Sequence, residues 1–209
     1  MRKITTAIMA LLLLLSLAAC GSKPETDGSG DTRGTFVFGG QVGSVDPASG
    51  AYAWVGMRSG VMESLFRFDD NMNVQKNLVE DYSVSDDGLV WTIVLRDGVL
   101  FQSGNVMDAA AVKASLERTC SMQSRAEKEL NIASMEANGN VLKITTREPN
   151  PVLPNCLCDP YSGIVDVKSL NPDGSAAVGT GPFKLVEYVE NERLELDAFD
   201  GYWAGKPAS

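Results

Sequence analysis

The chain has 209 residues, with 18 basic and 27 acidic side chains, a net charge of −9 and no histidine. Such an acidic surface opposes binding to nucleic acid or anionic lipid by charge. The missing imidazole removes Ser-His-Asp and Cys-His catalysis and histidine-ligated zinc, and the sequence has neither a Gly-x-Ser-x-Gly elbow nor a Ser-x-x-Lys pair.

No carboxylate pair stands out either, so catalysis is not expected and no cofactor is implied. Residues 1–20 read as a secretory leader. Met1-Arg2-Lys3 is a basic start, Ala7 to Leu15 is an apolar run, and Leu17-Ala18-Ala19-Cys20 ends on small residues and a cysteine. The run is too short to span a bilayer comfortably as a helix. The ending resembles the bacterial lipobox. That resemblance implies a signal peptide over 1–19, acylation of Cys20, and attachment of the mature chain to the outer face of the membrane through more than one acyl chain. Gly21 to Gly34 carries no apolar residue, so 20–34 is expected to be a flexible tether.

Thr35 to Val42 alternates around Phe36, Val37 and Phe38 and predicts a first strand, ended by Asp46-Pro47. Ala51 to Phe66 spaces Trp54, Met57 or Arg58, Val61 and Leu65 about one helical turn apart, which predicts a helix. Within it, Gly56 and Gly60 mark close packing against a neighbour. Short strands are expected at Phe66–Phe68, at Val74 and over Leu78–Val84. Asp86-Asp87-Gly88 turns the chain into a strand Leu89–Leu95, with Trp91, Ile93 and Leu95 on one face, and Asp97-Gly98 turns it again before Val99-Leu100-Phe101. Asp108 caps a helix Ala109–Thr119 whose buried stripe is Val112 and Leu116. Ile132–Ala137 and Val141–Thr146 flank Asn138-Gly139, the strongest hairpin signal in the chain. Pro151–Leu157 predicts a short helix with Asn150 as cap and Pro151 at its first position. Gly179-Thr180-Gly181-Pro182 opens a β-pair, Phe183–Val189 and Leu194–Phe199, joined at Glu190-Asn191-Glu192. Helices and strands mix throughout, which points to α/β or α+β.

Three cysteines lie beyond the leader: Cys120, Cys156 and Cys158. A disulfide from Cys120 to one of the other two is chemically permitted outside the membrane and would leave one thiol over. Cys156-x-Cys158 lacks the second pair or the histidine that a metal site needs. Packing of all three as small apolar residues is the simpler reading.

The order of several local patterns carries a resemblance. Asp46-Pro47, Glu63-Ser64-Leu65-Phe66, Leu78-Val79-Glu80-Asp81-Tyr82 and Ser85-Asp86-Asp87-Gly88 come first. The run Trp91 to Phe101 (WTIVLRDGVLF) follows, then Ser103-Gly104, Asp108-Ala109, Gly179-Thr180-Gly181-Pro182-Phe183 and Tyr202-Trp203-Ala204-Gly205-Lys206-Pro207. Together they resemble the solute-binding proteins of ABC transporters, the peptide/nickel (family 5) group, over residues 35–209. The resemblance implies an α/β lobe of the periplasmic-binding-protein type II kind with an extra inserted subdomain. Residues 35–48 and 166–209 would belong to the main sheet of the first lobe, and 49–165 would form the inserted subdomain. Members are much longer, so these residues are expected to be an N-terminal fragment with half a cleft and some unpaired sheet edge.

Function follows from the same resemblance. A small solute, an oligopeptide or a nickel or other metal chelate, would be captured between two lobes and passed to the permease and ATPase, by a monomer. Segments that line the cleft in relatives correspond here to Tyr52, Trp54, Arg125, Asp159 and Tyr161. Aromatic rings offer flat walls, Arg125 could clasp a carboxylate, and Asp159 could meet an amine or a cation. The stretch from Asn131 to Pro160 resembles members assigned to nickel uptake, in which an arginine precedes the proline. Here that position is the acidic Asp159, which disfavours a carboxylate chelate and leaves oligopeptides or another cationic solute open. A sensor or adhesin on the same fold, and a secreted carboxylate enzyme, are the alternatives.

Overall fold

The computed structural model describes residues 43–49, 53–170 and 177–207. The leader, the tether, the strand expected at 35–42 and Tyr52 lie outside the described residues.

Helix α1 is shorter than its periodicity predicts: it spans Ala53–Arg58 rather than running to Phe66. Gly60 takes φ 73, and the amides of Val61 and Gly60 close back on the carbonyls of Gly56 and Met57. That is a Schellman stop, and the left-handed residue it needs is most easily a glycine. Val61 and Leu65 are still fully buried, but from an extended segment. A side chain at Gly56 would strike Met62 and the Val45 carbonyl, so the close packing expected there is present.

Strands β1 (Phe66–Phe68) and β2 (Val74–Lys76) pair as a small hairpin. Strands β3 (Val79–Val84), β4 (Val90–Leu95), β5 (Ile132–Asn138) and β6 (Val141–Thr146) form an antiparallel sheet in the order β3-β4-β6-β5. Alternation in β4 puts Trp91, Ile93 and Leu95 on the buried face, opposite Ile144 and Leu142 of β6. The β5–β6 turn sits one residue later than the Asn-Gly signal suggests. Asn138 pairs with Val141, so Gly139-Asn140 is the loop, and of these two only Gly139 has positive φ, 56°. A glycine at the first central position suits a II′ turn, whose twist matches the strands.

Helix α2 (Ala109–Met122) starts as expected, with the Asp108 carboxylate accepting from the Ala111 amide at 2.8 Å. It packs across β5 and β6, and Val112 and Leu116 are fully buried against the sheet. Each such aliphatic contributes roughly 1.5–3 kcal/mol relative to exposure. Helix α3 (Ser124–Leu130), which the sequence reading did not anticipate, follows after Gln123 and stops at Asn131, φ 49. Helix α4 is Leu153–Cys156. Its expected cap fails: the N-cap is Val152, and the Asn150 side-chain amide donates to the Glu129 carbonyl instead. Strands β7 (Phe183–Val189) and β8 (Arg193–Ala198) form a separate ribbon, with Asn191 at φ 58 in the turn.

Two apolar clusters result. The larger joins the sheet, α2 and Tyr161; the smaller gathers Val45, Val55, Val61, Met62, Val165 and Ala177 under the β7–β8 ribbon. The segment carrying Val45 is clamped by a buried ion pair. Arg118 of α2 donates to both Asp46 oxygens, at 2.8 and 2.6 Å, and Asp46 is 2% exposed. Such two-pronged pairs fix orientation as well as adding energy. The three thiols are free, with Cys158 buried and Cys120 and Cys156 half-buried.

Residues 60–63 cross 179–183 with backbone against backbone. The amides of Gly181 and Phe183 donate to the carbonyls of Val61 and Gly60, and Gln102 ties the crossing through the carbonyls of Val61, Gly181 and Phe183. A β-carbon at Gly179 or Gly181 would lie closer than 3.0 Å to the backbone of 60–62. Neither glycine has positive φ, so the demand is steric alone. Gly179→Ala and Gly181→Ala are each expected to destabilise the protein by at least about 2 kcal/mol, as overpacking does. Thermal melts followed by circular dichroism check this, and an unchanged melting temperature would refute the tight crossing.

Candidate functional site

Three of the residues singled out in the sequence meet in one place. Arg125 and Glu129 stand one turn apart on α3, and Arg125 Nε donates to Glu129 Oε1 at 2.9 Å. The same guanidinium reaches Asp159 Oδ2 at 2.7 Å, 34 positions along the chain. Asp159 also opens a 3₁₀ turn, Pro160–Ser162, its Oδ1 accepting from the Tyr161 amide at 3.3 Å. Tyr161 is 1% exposed; its hydroxyl donates to Glu129 Oε2 at 2.8 Å, and the Arg125 guanidinium carbon sits 5.2 Å from its ring centroid. One cation is therefore held between two carboxylates above a buried ring. Glu129 escaped the sequence reading, although its spacing of four from Arg125 on a helix was a usable signal.

Electrostatics follow the contacts. The hydrogen bond from Arg125 holds the Glu129 carboxyl below its usual 4.5; burial opposes this and the Tyr161 hydroxyl supports it. Burial, then the bond to Glu129, pushes the Tyr161 phenol well above its usual 10.0. Burial and the nearby Glu129 charge also raise the Cys156 thiol. These groups are set up to hold a polar partner in a fixed orientation. Nothing among them is an activated nucleophile or a base poised near neutrality.

Trp54 occupies α1, half-buried against the smaller apolar cluster, with Arg58 4.8 Å from its ring centroid. Helix α1 packs on the Pro160–Ser162 turn, so the two candidate regions adjoin. A shallow groove of about 180 Å³ lies elsewhere, lined by residues that include Cys120, Glu127, Met135 and Arg147, and it contains none of the sequence candidates. Among the described residues no set of three Cys, Asp or Glu is arranged to hold a metal ion.

The family-like motifs converge on structural polar centres. Glu63 accepts from Thr180 Oγ1 at 3.0 Å, Trp203 Nε1 at 2.9 Å and Tyr202 hydroxyl at 3.1 Å. Arg96 lies over the Trp203 ring at 4.6 Å. Asp166 accepts from Ser103, Asn105 and Ser169, each at 2.7 Å. Burial works against its charge, and these bonds overcome it and hold the carboxyl below 3.8.

A sequence profile of the bacterial extracellular solute-binding proteins, family 5, middle region, matches residues 73–209. The nickel-binding protein NikA of Staphylococcus aureus is 33% identical over 153 residues, which is 73% of this chain and 31% of that protein. The glutathione-binding protein GsiB of Salmonella paratyphi A is 38% identical over 149 residues, 68% of this chain and 29% of the relative. Among solved structures, a nickel ABC transporter protein from Bacillus halodurans is 40% identical with a TM-score of 0.74, covering 79% of this chain and 34% of that one. NikA from Staphylococcus aureus in complex with Ni(L-His)2 is 32% identical, TM-score 0.75, over 80% and 35%. The chain spans about a third of the length of these relatives.

Glu129 contributes stability that is complete above pH 4.5 and is lost as pH falls through its depressed folded value. Arg125→Met is expected to return its titration toward 4.5. Carboxyl-carbon NMR titration reads this directly, and an unmoved Glu129 midpoint would show that the ion pair is not what depresses it.

Proposed function

The chain belongs to the bacterial extracellular solute-binding proteins, family 5, and from that membership we propose that it captures a small solute for an ABC importer. The observation that carries this reading is the profile match over residues 73–209, together with identities above 30% to binding proteins for nickel and glutathione. These relatives are binding proteins rather than enzymes. The absence of histidine and of an activated nucleophile in the chain agrees with that.

In this reading Arg125, Asp159 and Tyr161, steadied by Glu129, belong to the solute-facing side, with Tyr52 and Trp54 on the adjoining helix region. Charge-assisted bonds would fix the solute's polar ends and aromatic surface its body. The solute is a short peptide or a metal chelate; with no histidine here, a metal would arrive held by its own chelator. Capture works as a population shift. A solute touching two lobes stabilises the closed arrangement, which the permease and its ATPase then accept.

The division into 35–48 with 166–209 as part of a main sheet, and 49–165 as an inserted subdomain, belongs to the same proposal. It is supported by the four-stranded sheet lying wholly within 79–146, apart from the ribbon at 183–198. The protein acts as a monomer tethered outside the membrane through acylated Cys20.

Two experiments test this. Protein isolated from its host's membranes is titrated calorimetrically with glutathione, a tripeptide and Ni(L-His)2. Saturable binding of at least one is expected, weakened about tenfold or more by Arg125→Ala or Asp159→Ala, in line with about 1.5–3 kcal/mol for a charged hydrogen bond. Binding indifferent to both substitutions would place the site elsewhere. Cys20→Ser is expected to move the protein from the membrane fraction to the soluble fraction, and continued attachment would refute the lipid anchor.

A further inference from the structure

We propose that this cluster selects solutes bearing a positively charged group, an ammonium or guanidinium, and that Asp159 sets the preference; the inference rests on the solute-capture reading of the same residues. Arg125 is the only cation bonded within the network, and both its partners are carboxylates, at 2.9 Å to Glu129 and 2.7 Å to Asp159. One positive and two negative groups leave a formal charge of −1. A solute carboxylate approaching this guanidinium meets two like charges already in hydrogen-bond contact with it.

The two carboxylates are not equivalent. Glu129 is committed on both oxygens, one to Arg125 and one to the hydroxyl of the buried Tyr161. Asp159 has Oδ2 on Arg125, while Oδ1 receives only a long bond from the Tyr161 amide at 3.3 Å. Each carboxylate oxygen accepts along two directions, so Asp159 retains acceptor capacity for N–H groups of a cation. Its side chain is 25% exposed, enough to be reached. Arg125 thereby acts as a positioning residue that aims Asp159. The net charge of −9 over the whole chain adds a long-range attraction for the same class of solute.

The test uses protein isolated from its host's membranes and three probes of one length: tri-lysine, tri-alanine and tri-glutamate, titrated at fixed physiological salt. Tri-lysine is expected to bind at least tenfold more tightly than tri-glutamate. Asp159→Asn should level the two, and Asp159→Arg should invert their order. Glu187→Gln on β7, a charge outside the network, should leave the order as it was, which separates a local site from general surface charge. Should either Asp159 variant lose its native circular dichroism, the other carries the comparison. A tri-glutamate preference, or a lysine preference untouched by Asp159→Asn, would overturn the charge selection while solute capture stands. Silence of all three peptides while glutathione or Ni(L-His)2 binds has the same consequence. Silence of every probe would overturn the capture reading itself.

Discussion

The fold depends on a crossing in which two stretches of backbone touch with no side chain between them. Residues 60–63 and 179–183 approach closely enough that Gly179 and Gly181 cannot carry a β-carbon. Gln102 then fills the remaining polar demand, its side-chain amide serving three carbonyls and its side-chain oxygen receiving the Gly179 amide. Buried backbone groups must find partners somewhere, and here one side chain serves four of them. Because the crossing joins parts of the chain more than 100 residues apart, it fixes where Glu63 lies. Only with that placement can Thr180, Tyr202 and Trp203 reach one carboxylate. The motifs that look unrelated along the chain are members of one junction.

A second set of constraints is electrostatic. Asp46 with Arg118 is almost fully buried, and a buried charge without its partner is strongly destabilising. Its role is to hold the segment 43–49 on α2. The Arg125 network differs in kind. It is open to solvent on the arginine side and buried on the tyrosine side, so water and solute can compete for its charges while Tyr161 keeps Glu129 in place. A structural pair excludes water on both sides; this one keeps an accessible rim, the arrangement a reversible binding surface needs.

Much of the architecture was legible in local signals. The capped start of α2, the alternating burial of β4 and the β7–β8 pair follow from period and turn chemistry, which depend on near neighbours. The misreadings have physical causes. The apolar spacing of 51–66 persists beyond α1 because extended residues can also face a core, and the stop came from the left-handed Gly60. Asn150 was read as a cap from its type and its place before proline. Its side chain instead serves the Glu129 carbonyl, a partner 21 positions away that no local pattern encodes.

The sequence by itself determined the class of fold, the family and most element positions, because periodicity, caps, turns and motif order are properties of neighbouring residues. It also brought Arg125, Asp159 and Tyr161 forward as candidates. Only the tertiary structure decided that those three share a single network with Glu129, and that Arg125 is already matched by two carboxylates. Charge compensation depends on distances of a few ångströms between distant parts of the chain, and linear spacing carries no record of them.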